Sequence, residues 1–280
     1  MAAYRLAPMR RPVQLSAMSI RTALIIATLA IAAPLTAKPA ADALHSAVAS
    51  PKRAPAFVER DRYRHPEETL RFFGIKPTMT VVEIWPSAGY YADILAPMLR
   101  ARGHYIGALQ ANPKYREATL KLFASDPARF DKATTVTFDP KQPADLAPAG
   151  TADALVTFRN VHNLVMAGED QAAQAFALYF RALKPGGTLG IEDHRLPEAS
   201  DTANEKTSGY LKRSTVVRLA TQAGFTLVGE SEVNANPKDP ADGPVWRLPP
   251  TLRNGETDRD KYLAIGESDR MTLKFVKPKG

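Results

Sequence analysis

A chain of 280 residues with 45% hydrophobic content can bury one sizeable core and still carry a short N-terminal prefix. Its formal charge of +8 includes Arg5, Arg10, Arg11 and Arg21, which lie in a stretch free of acids; +4 remains without them, and no basic strip interleaved with aromatics marks a nucleic-acid surface. Cysteine is absent, which excludes disulfides, a thiolate nucleophile and any cysteine-ligated metal.

Residues 1–37 read as a signal peptide. Ser19-Ile-Arg21 is a short basic region, and Thr22 to Leu35 is an apolar run too short to span a bilayer comfortably. Leu35-Thr-Ala37 ends in the small residue that cleavage favours, and Met18 is an alternative start. The expected location is therefore periplasmic or secreted, with no stable membrane insertion after cleavage. Residues 38–60 form an Ala- and Pro-rich lead-in, with a short helix expected over Ala41 to Val48. Residues 61–280 form the domain. In it Pro66 suits the first turn of a helix running from Glu67 to Phe73.

Val81 to Ile84 is an apolar, β-branched run and reads as a buried strand. Pro86 to Gly89 is turn chemistry, and Tyr90 to Leu99 carries apolar residues at helical spacing. A strand, a tight turn and a helix make a ligand cradle, because the helix start offers free N–H groups. Glu83 lies near the strand's carboxyl end, the ligand side of open α/β sheets. The alternation then repeats. Strands are expected at Tyr105 to Leu109, Thr135 to Phe138, Ala154 to Phe158, Thr188 to Glu192, Phe225 to Val233 and Met271 to Val276. Helices are expected at Pro113 to Ala124, Asp170 to Leu183 and Ser214 to Gln222, and Lys184 to Gly187 reads as a turn. Helices between strands imply an α/β fold with a mostly parallel sheet, and the last two strands, lacking a helix between them, imply an antiparallel ending. Asn234 to Asp269 is Pro-rich and irregular; Trp246 and Tyr262 suggest an ordered cover over part of the ligand edge.

The stretch Glu83-Ile-Trp-Pro-Ser-Ala-Gly-Tyr-Tyr91 resembles the first motif of the class I S-adenosylmethionine-dependent methyltransferases. The resemblance is closest to a bacterial group of predicted secreted methyltransferases. Arg60-Asp-Arg-Tyr-Arg-His-Pro66, Glu68 to Gly74 and Asn236-Pro-Lys-Asp239 match that group as well. It implies a Rossmann-like sheet with an antiparallel last strand, helices on both faces, and S-adenosyl-L-methionine as cofactor. It further implies cofactor contacts at Glu83, Trp85, Ser87, Gly89, Tyr90, Gln110, Asp139 and Arg159. Ser87 and Gly89 would meet the methionine end, with Glu83 organising the turn. Gln110 would meet the ribose hydroxyls and Asp139 the adenine. Trp85, Ser87 and Ala88 depart from the pattern by carrying a Cβ where glycine is usual, and Gln110 replaces a carboxylate.

Phe158-Arg-Asn-Val-His-Asn-Leu164 resembles the stretch of small-molecule O-methyltransferases in which a His takes the acceptor's proton. His162 matches that His, and the resemblance makes Asn160 its catalytic companion, with Arg159 and Asn160 orienting the acceptor or the cofactor carboxylate. Asp61, Arg64 and His65 are candidates to close over the pocket. The implied function is methyl transfer to an acceptor that the sequence does not identify, with a small molecule as one candidate class. The alternative is an exported, non-catalytic binding protein with a degenerate cofactor site. No metal is expected: in Glu192-Asp193-His194 adjacent strand residues should point to opposite faces. Neither a Gly-x-Gly-x-x-Gly fingerprint nor a Gly-x-Ser-x-Gly elbow is present.

Overall fold

The structure is a computed structural model that describes residues 42–253 and 256–280; the expected leader lies outside the described residues. The strands are β1 (Thr80–Ile84), β2 (His104–Gln110), β3 (Thr134–Phe138), β4 (Ala152–Phe158), β5 (Leu183–Leu196), β6 (Leu211–Lys212), β7 (Thr226–Ser231) and β8 (Arg270–Val276). Among the described residues they form one eight-stranded sheet in the order β3-β2-β1-β4-β5-β8-β7, with β6 beside the end of β5. β1 through β5 pair in parallel, and β8 runs antiparallel between β5 and β7. The expected sheet and its antiparallel ending are therefore present.

Strand alternation sorts the side chains onto two faces. Val82, Ile84, Leu189 and Ile191 join one core with the helices Glu169–Ala182 and Arg213–Gln222. Val81, Tyr105, Ala154 and Val156 join the other with the helices Ala43–Val48, Pro66–Phe73 and Ala92–Leu99. Both faces are thus covered, as parallel sheets require. The lead-in is part of the fold. Asp42 caps its short helix by accepting from Leu44 N and His45 N, and Leu44 is buried. Gly190 of β5 is there for contact: a Cβ on it would lie 2.6 Å from Phe73 Cγ, so only bare backbone lets that helix pack so closely.

Three local differences from the sequence expectations matter. Val161–Ala167, next to the end of β4, is a helix where no element was expected, and His162 stands on its first turn. β5 continues to Leu196, so Glu192 to His194 is inside the strand and not at its end. The Lys184 to Gly187 turn is a bulge at the start of that strand: Ala152 pairs with Leu183 and Ala154 already pairs with Thr188. The segment after Asn234 holds a short 3-10 turn at Val245–Arg247 and a helix at Arg259–Ile265. Arg259–Ile265 has no buried residue to create a periodic apolar signal.

Candidate active site

The strand order reverses between β1 and β4, where the connections from β1 and from β4 leave in opposite directions. That is where an open α/β sheet leaves a crevice beyond its carboxyl ends. A cleft of about 630 Å³ occupies it. Its wall is built from residues just past four strands: Trp85 after β1, Gln110 at the end of β2, Asp139 after β3, and Arg159 and Asn160 after β4. The volume falls within the roughly 300–1,000 Å³ range of small-molecule sites.

The turn after β1 keeps the backbone shape that glycines normally supply. Trp85 has φ 47°, Ser87 φ 57° and Gly89 φ 91°. The Cβ atoms of Trp85 and Ser87 did not drive the turn out of the left-handed region; neighbouring contacts hold it there. Trp85 N donates to Ala108 O at 2.8 Å, and its indole Nε1 donates to Phe138 O at 3.2 Å. The Ser87 hydroxyl donates to Trp85 O, and Ser87 O accepts from Thr119 Oγ1 at 2.6 Å. The indole packs against the Phe138 ring at 5.4 Å between centroids, and the cleft beside it stays open.

Trp85, Ser87, Gln110, Asp139, Arg159 and Asn160 all border the cleft. Glu83, Gly89 and Tyr90 do not border it. Glu83 points to the opposite face of the sheet, where its carboxylate accepts from Tyr105 OH at 2.8 Å and makes no bond to the turn. Burial pushes its pKa up to about 8. Gly89 lies behind the turn, where a Cβ would come 2.4 Å from Leu122 Cδ2. The Tyr90 hydroxyl donates to Asp61, and its ring lies under the Arg64 guanidinium at 4.4 Å. Asp61 and Arg64 therefore brace Tyr90, His65 joins the helices Asp61–Arg64 and Pro66–Phe73, and none of the three borders the cleft. Asn160 is tied down as well: its amide donates to Ile84 O, Trp85 O and Phe158 O, which locks the ends of β1 and β4 together.

Gln110 carries a signal that the sequence did not hold. Its Oε1 is buried and has no hydrogen-bond partner, in a residue that lines the cleft.

A smaller cavity of about 250 Å³ adjoins the cleft and shares Arg159, Asn163 and Arg253 with it. Its walls include His162, His194 and Trp246, so the Pro-rich segment does cover part of the ligand edge. His162 Nδ1 lies 2.7 Å from Asp193 Oδ1, and His162 N donates to Asp193 Oδ2 at 3.1 Å. Asp193 Oδ1 also accepts from His194 N, so the carboxylate is spent on N–H donors. An ionised carboxylate only accepts; the Nδ1 of His162 therefore carries the hydrogen, and Nε2 keeps a free lone pair.

Contrary to the expectation from strand alternation, Asp193 and His194 do converge, with ligand atoms of His162, Asp193 and His194 all within 4.8 Å of one another. Their chemistry is that of a proton-handling group more than of a cation site. The Nδ1 atoms are engaged by Asp193 and by Ser268 Oγ. Burial, then the fields of His162, Arg159, Arg270 and Arg64, hold the His194 imidazole well below its usual range, and the same fields oppose a further cation.

A buried ionic cluster reaches the wall of the smaller cavity through Glu267. Glu267 accepts from Arg60 at 2.7 Å, from Arg64 at 3.3 Å and from Arg270 at 2.8 Å. These guanidiniums, with Arg159, outweigh its own desolvation and pull its pKa down to about 2. Arg270 also faces Glu192 at 2.9 Å. The cluster fastens the N-terminal helices to β5 and β8.

No family model and no curated relative matches the chain. Solved structures do. A SAM-dependent methyltransferase from Aquifex aeolicus is similar at 16% identity over 81% of this chain and 100% of that one, with TM-score 0.54. The [4+2]-cyclase SpnF is similar at 14% identity over 78% and 82%, with TM-score 0.57. A phosphoethanolamine N-methyltransferase from Haemonchus contortus, solved with S-adenosylhomocysteine, is similar at 17% identity over 77% and 53%, with TM-score 0.52. At such identities the likeness establishes the fold: the chain has the Rossmann-like fold of class I S-adenosylmethionine-dependent methyltransferases. The cyclase among its neighbours shows that this scaffold does not dictate one reaction.

Proposed function

We propose that the chain is an S-adenosylmethionine-dependent methyltransferase acting on a small-molecule acceptor, and that His162 is its proton acceptor. The observation that carries this reading is the junction of two cavities at the strand ends: a cleft of nucleoside size opens onto a pocket whose wall holds an imidazole with its Nδ1 fixed by Asp193.

The residues of the cleft fit the cofactor. Gln110 Oε1 is a buried acceptor without a donor, as a ribose hydroxyl needs. Asp139 Oδ1 already takes Lys141 N, and its second oxygen is open to an exocyclic amine. Trp85 and Phe138 give the apolar wall a base requires. Bound there, S-adenosylmethionine supplies an electrophilic methyl on a sulfonium. The chain's own work is to align and to take a proton. Asn160 sets the spacing between β1 and β4, and Asp193 turns Nε2 of His162 outward as a base. The alignment replaces a bimolecular encounter by a fixed geometry, a major source of acceleration in such transfers. Export, with removal of residues 1–37, belongs to the same proposal. It fails if the cellular protein keeps its leader and fractionates with the cytosol.

Co-crystallisation with S-adenosylhomocysteine tests the reading. Density along Trp85, Gln110 and Asp139, with the sulfur toward the His162 pocket, supports it. Density elsewhere, or none at saturating concentration, overturns it.

A further inference from the structure

We propose that the cavity beside the cleft selects an anionic acceptor, a small hydroxylated carboxylate or phosphate monoester, through the guanidiniums of Arg159 and Arg253; this rests on the methyltransferase reading for the step that follows binding.

Arg159 is the starting point. Its backbone is held at φ 58°, a strained conformation for a side-chain-bearing residue, by Arg159 N donating to Glu192 O at 2.7 Å. That strain aims the side chain along the wall shared by both cavities. None of its side-chain N–H groups has an acceptor among the described residues, and its Nε is buried without a partner. A desolvated guanidinium with no direct ion pair or hydrogen bond is costly, even where the fields of Glu267 and Glu192 reach it, and a fold that retains one points to an anion supplied from outside. Burial and the neighbouring Arg64 and Arg60 charges lower its pKa to about 9, so it remains a cation at neutral pH.

The nearby carboxylates reach it through their fields and make no direct pair with it. Glu267, the carboxylate on the cavity wall, already takes Arg60, Arg64 and Arg270. Glu192 faces Arg270. Asp193 takes the N–H groups of His162 and His194. Arg253 reaches the same cavity from the covering segment. It stacks on Trp246 with its guanidinium carbon 5.3 Å from the ring centroid and makes no ion pair among the described residues. Two unpaired guanidiniums at one mouth form the planar forks that carboxylates and phosphates fit. The ring of Trp246 and the prolines at 249 and 250 give the same pocket an apolar side. With an anion anchored by the two arginines, the rest of a small acceptor occupies the space toward His162, where a hydroxyl meets the base.

The shared chemistry is a compact anion, and separate probes distinguish its sources. The full chain is titrated by calorimetry with para-hydroxybenzoate, para-hydroxyphenyl phosphate and the neutral para-hydroxybenzamide, each with and without saturating S-adenosylhomocysteine. At least one anion is expected to bind about tenfold or more tightly than the amide, the gain expected of a charge-assisted pair, and the tighter of the two identifies the head group. Arg253→Gln, on an exposed residue whose loss does not threaten folding, and Arg159→Gln should each remove most of that preference. Equal binding of anions and amide overturns the proposal, as does a preference that survives both replacements. If Arg159→Gln abolishes S-adenosylhomocysteine binding and spares the anion preference, Arg159 serves the cofactor and the assignment is wrong. If S-adenosylhomocysteine does not bind the wild type but the anion preference holds, the methyltransferase reading falls and the anion site stands.

Discussion

Asp193 holds His162 at two points, Oδ1 to the imidazole Nδ1 at 2.7 Å and Oδ2 to the backbone N at 3.1 Å, across 31 residues of sequence. The first contact fixes the tautomer, and the second fixes the start of the helix that carries the ring. Such a carboxylate positions a base and takes no proton itself. Replacing His162 by Ala should lower kcat by about 10²–10⁴-fold, the span of general-base catalysis, and leave S-adenosylhomocysteine affinity unchanged. Asp193→Asn should also lower kcat and leave KM and cofactor affinity in place, because the amide favours the wrong tautomer. Single-turnover and steady-state rates of both variants check this. A rate unchanged in either removes the dyad from the mechanism.

Glu83 gives a stability signature with a defined sign. Its pKa rises on folding from the ordinary 4.5 to about 8, so the folded state holds the proton more tightly than the unfolded state. Its contribution is complete below pH 4.5, is lost as pH rises toward about 8, and is flat beyond. Glu83→Gln keeps an acceptor for Tyr105 and removes the titration. The variant should gain stability over the wild type from neutral to alkaline pH, by several degrees in Tm, with no gain at pH 4. Thermal melts of both chains from pH 4 to 9 decide it, and parallel curves would show that Glu83 does not titrate on folding.

Glu267 runs the other way. Its folded pKa is near 2 against 4.5, so its stabilisation is present above pH 4.5 and disappears as pH falls toward 2. Removing its charge strands Arg60, Arg64 and Arg270 in a buried place. Glu267→Gln should cost about 3–5 kcal/mol at pH 7 and flatten the acid limb of the stability curve. Urea titrations at pH 7 and pH 3 check both parts. A loss below 1 kcal/mol at pH 7 would mean that the cluster is looser than its distances imply.

The turn after β1 offers a third stability contrast. Ser87 pays for its left-handed φ of 57°, so Ser87→Gly should be neutral or stabilising by up to about 1 kcal/mol. Gly89→Ala should destabilise by about 1–3 kcal/mol, because φ 91° is unfavourable for alanine and its Cβ meets Leu122. Unfolding free energies from denaturant titrations of the two variants should differ by at least about 1 kcal/mol, with Gly89→Ala the less stable. Equal values would show that the turn relaxes freely.

Most of the scaffold was legible because its signals are local. Val81 to Ile84, Tyr105 to Leu109 and Ala154 to Phe158 are mostly apolar strands bounded by turn residues. The missing helix between β4 and its successor, Val161–Ala167, is short and follows the strand with little punctuation, so periodicity had nothing to measure. At the site, residues just past strand ends were readable: Trp85, Gln110, Asp139 and Arg159 all border the cleft. Glu83 was misplaced because a motif names a residue and not its face; period-two alternation sends it away from the turn. Asp193 as the partner of His162 and the isolation of Arg159 arise only from tertiary neighbours, and no spacing in the chain encodes them.

The proposed methyl transfer requires cofactor binding in the cleft that Trp85 and Gln110 border. Calorimetric titration of the full chain with S-adenosylmethionine measures it directly. A saturable heat with a micromolar or tighter Kd, weakened about tenfold in Gln110→Ala where the ribose acceptor is gone, is the expected result. No heat up to millimolar ligand, from a chain that melts cooperatively, would contradict it and leave only the fold.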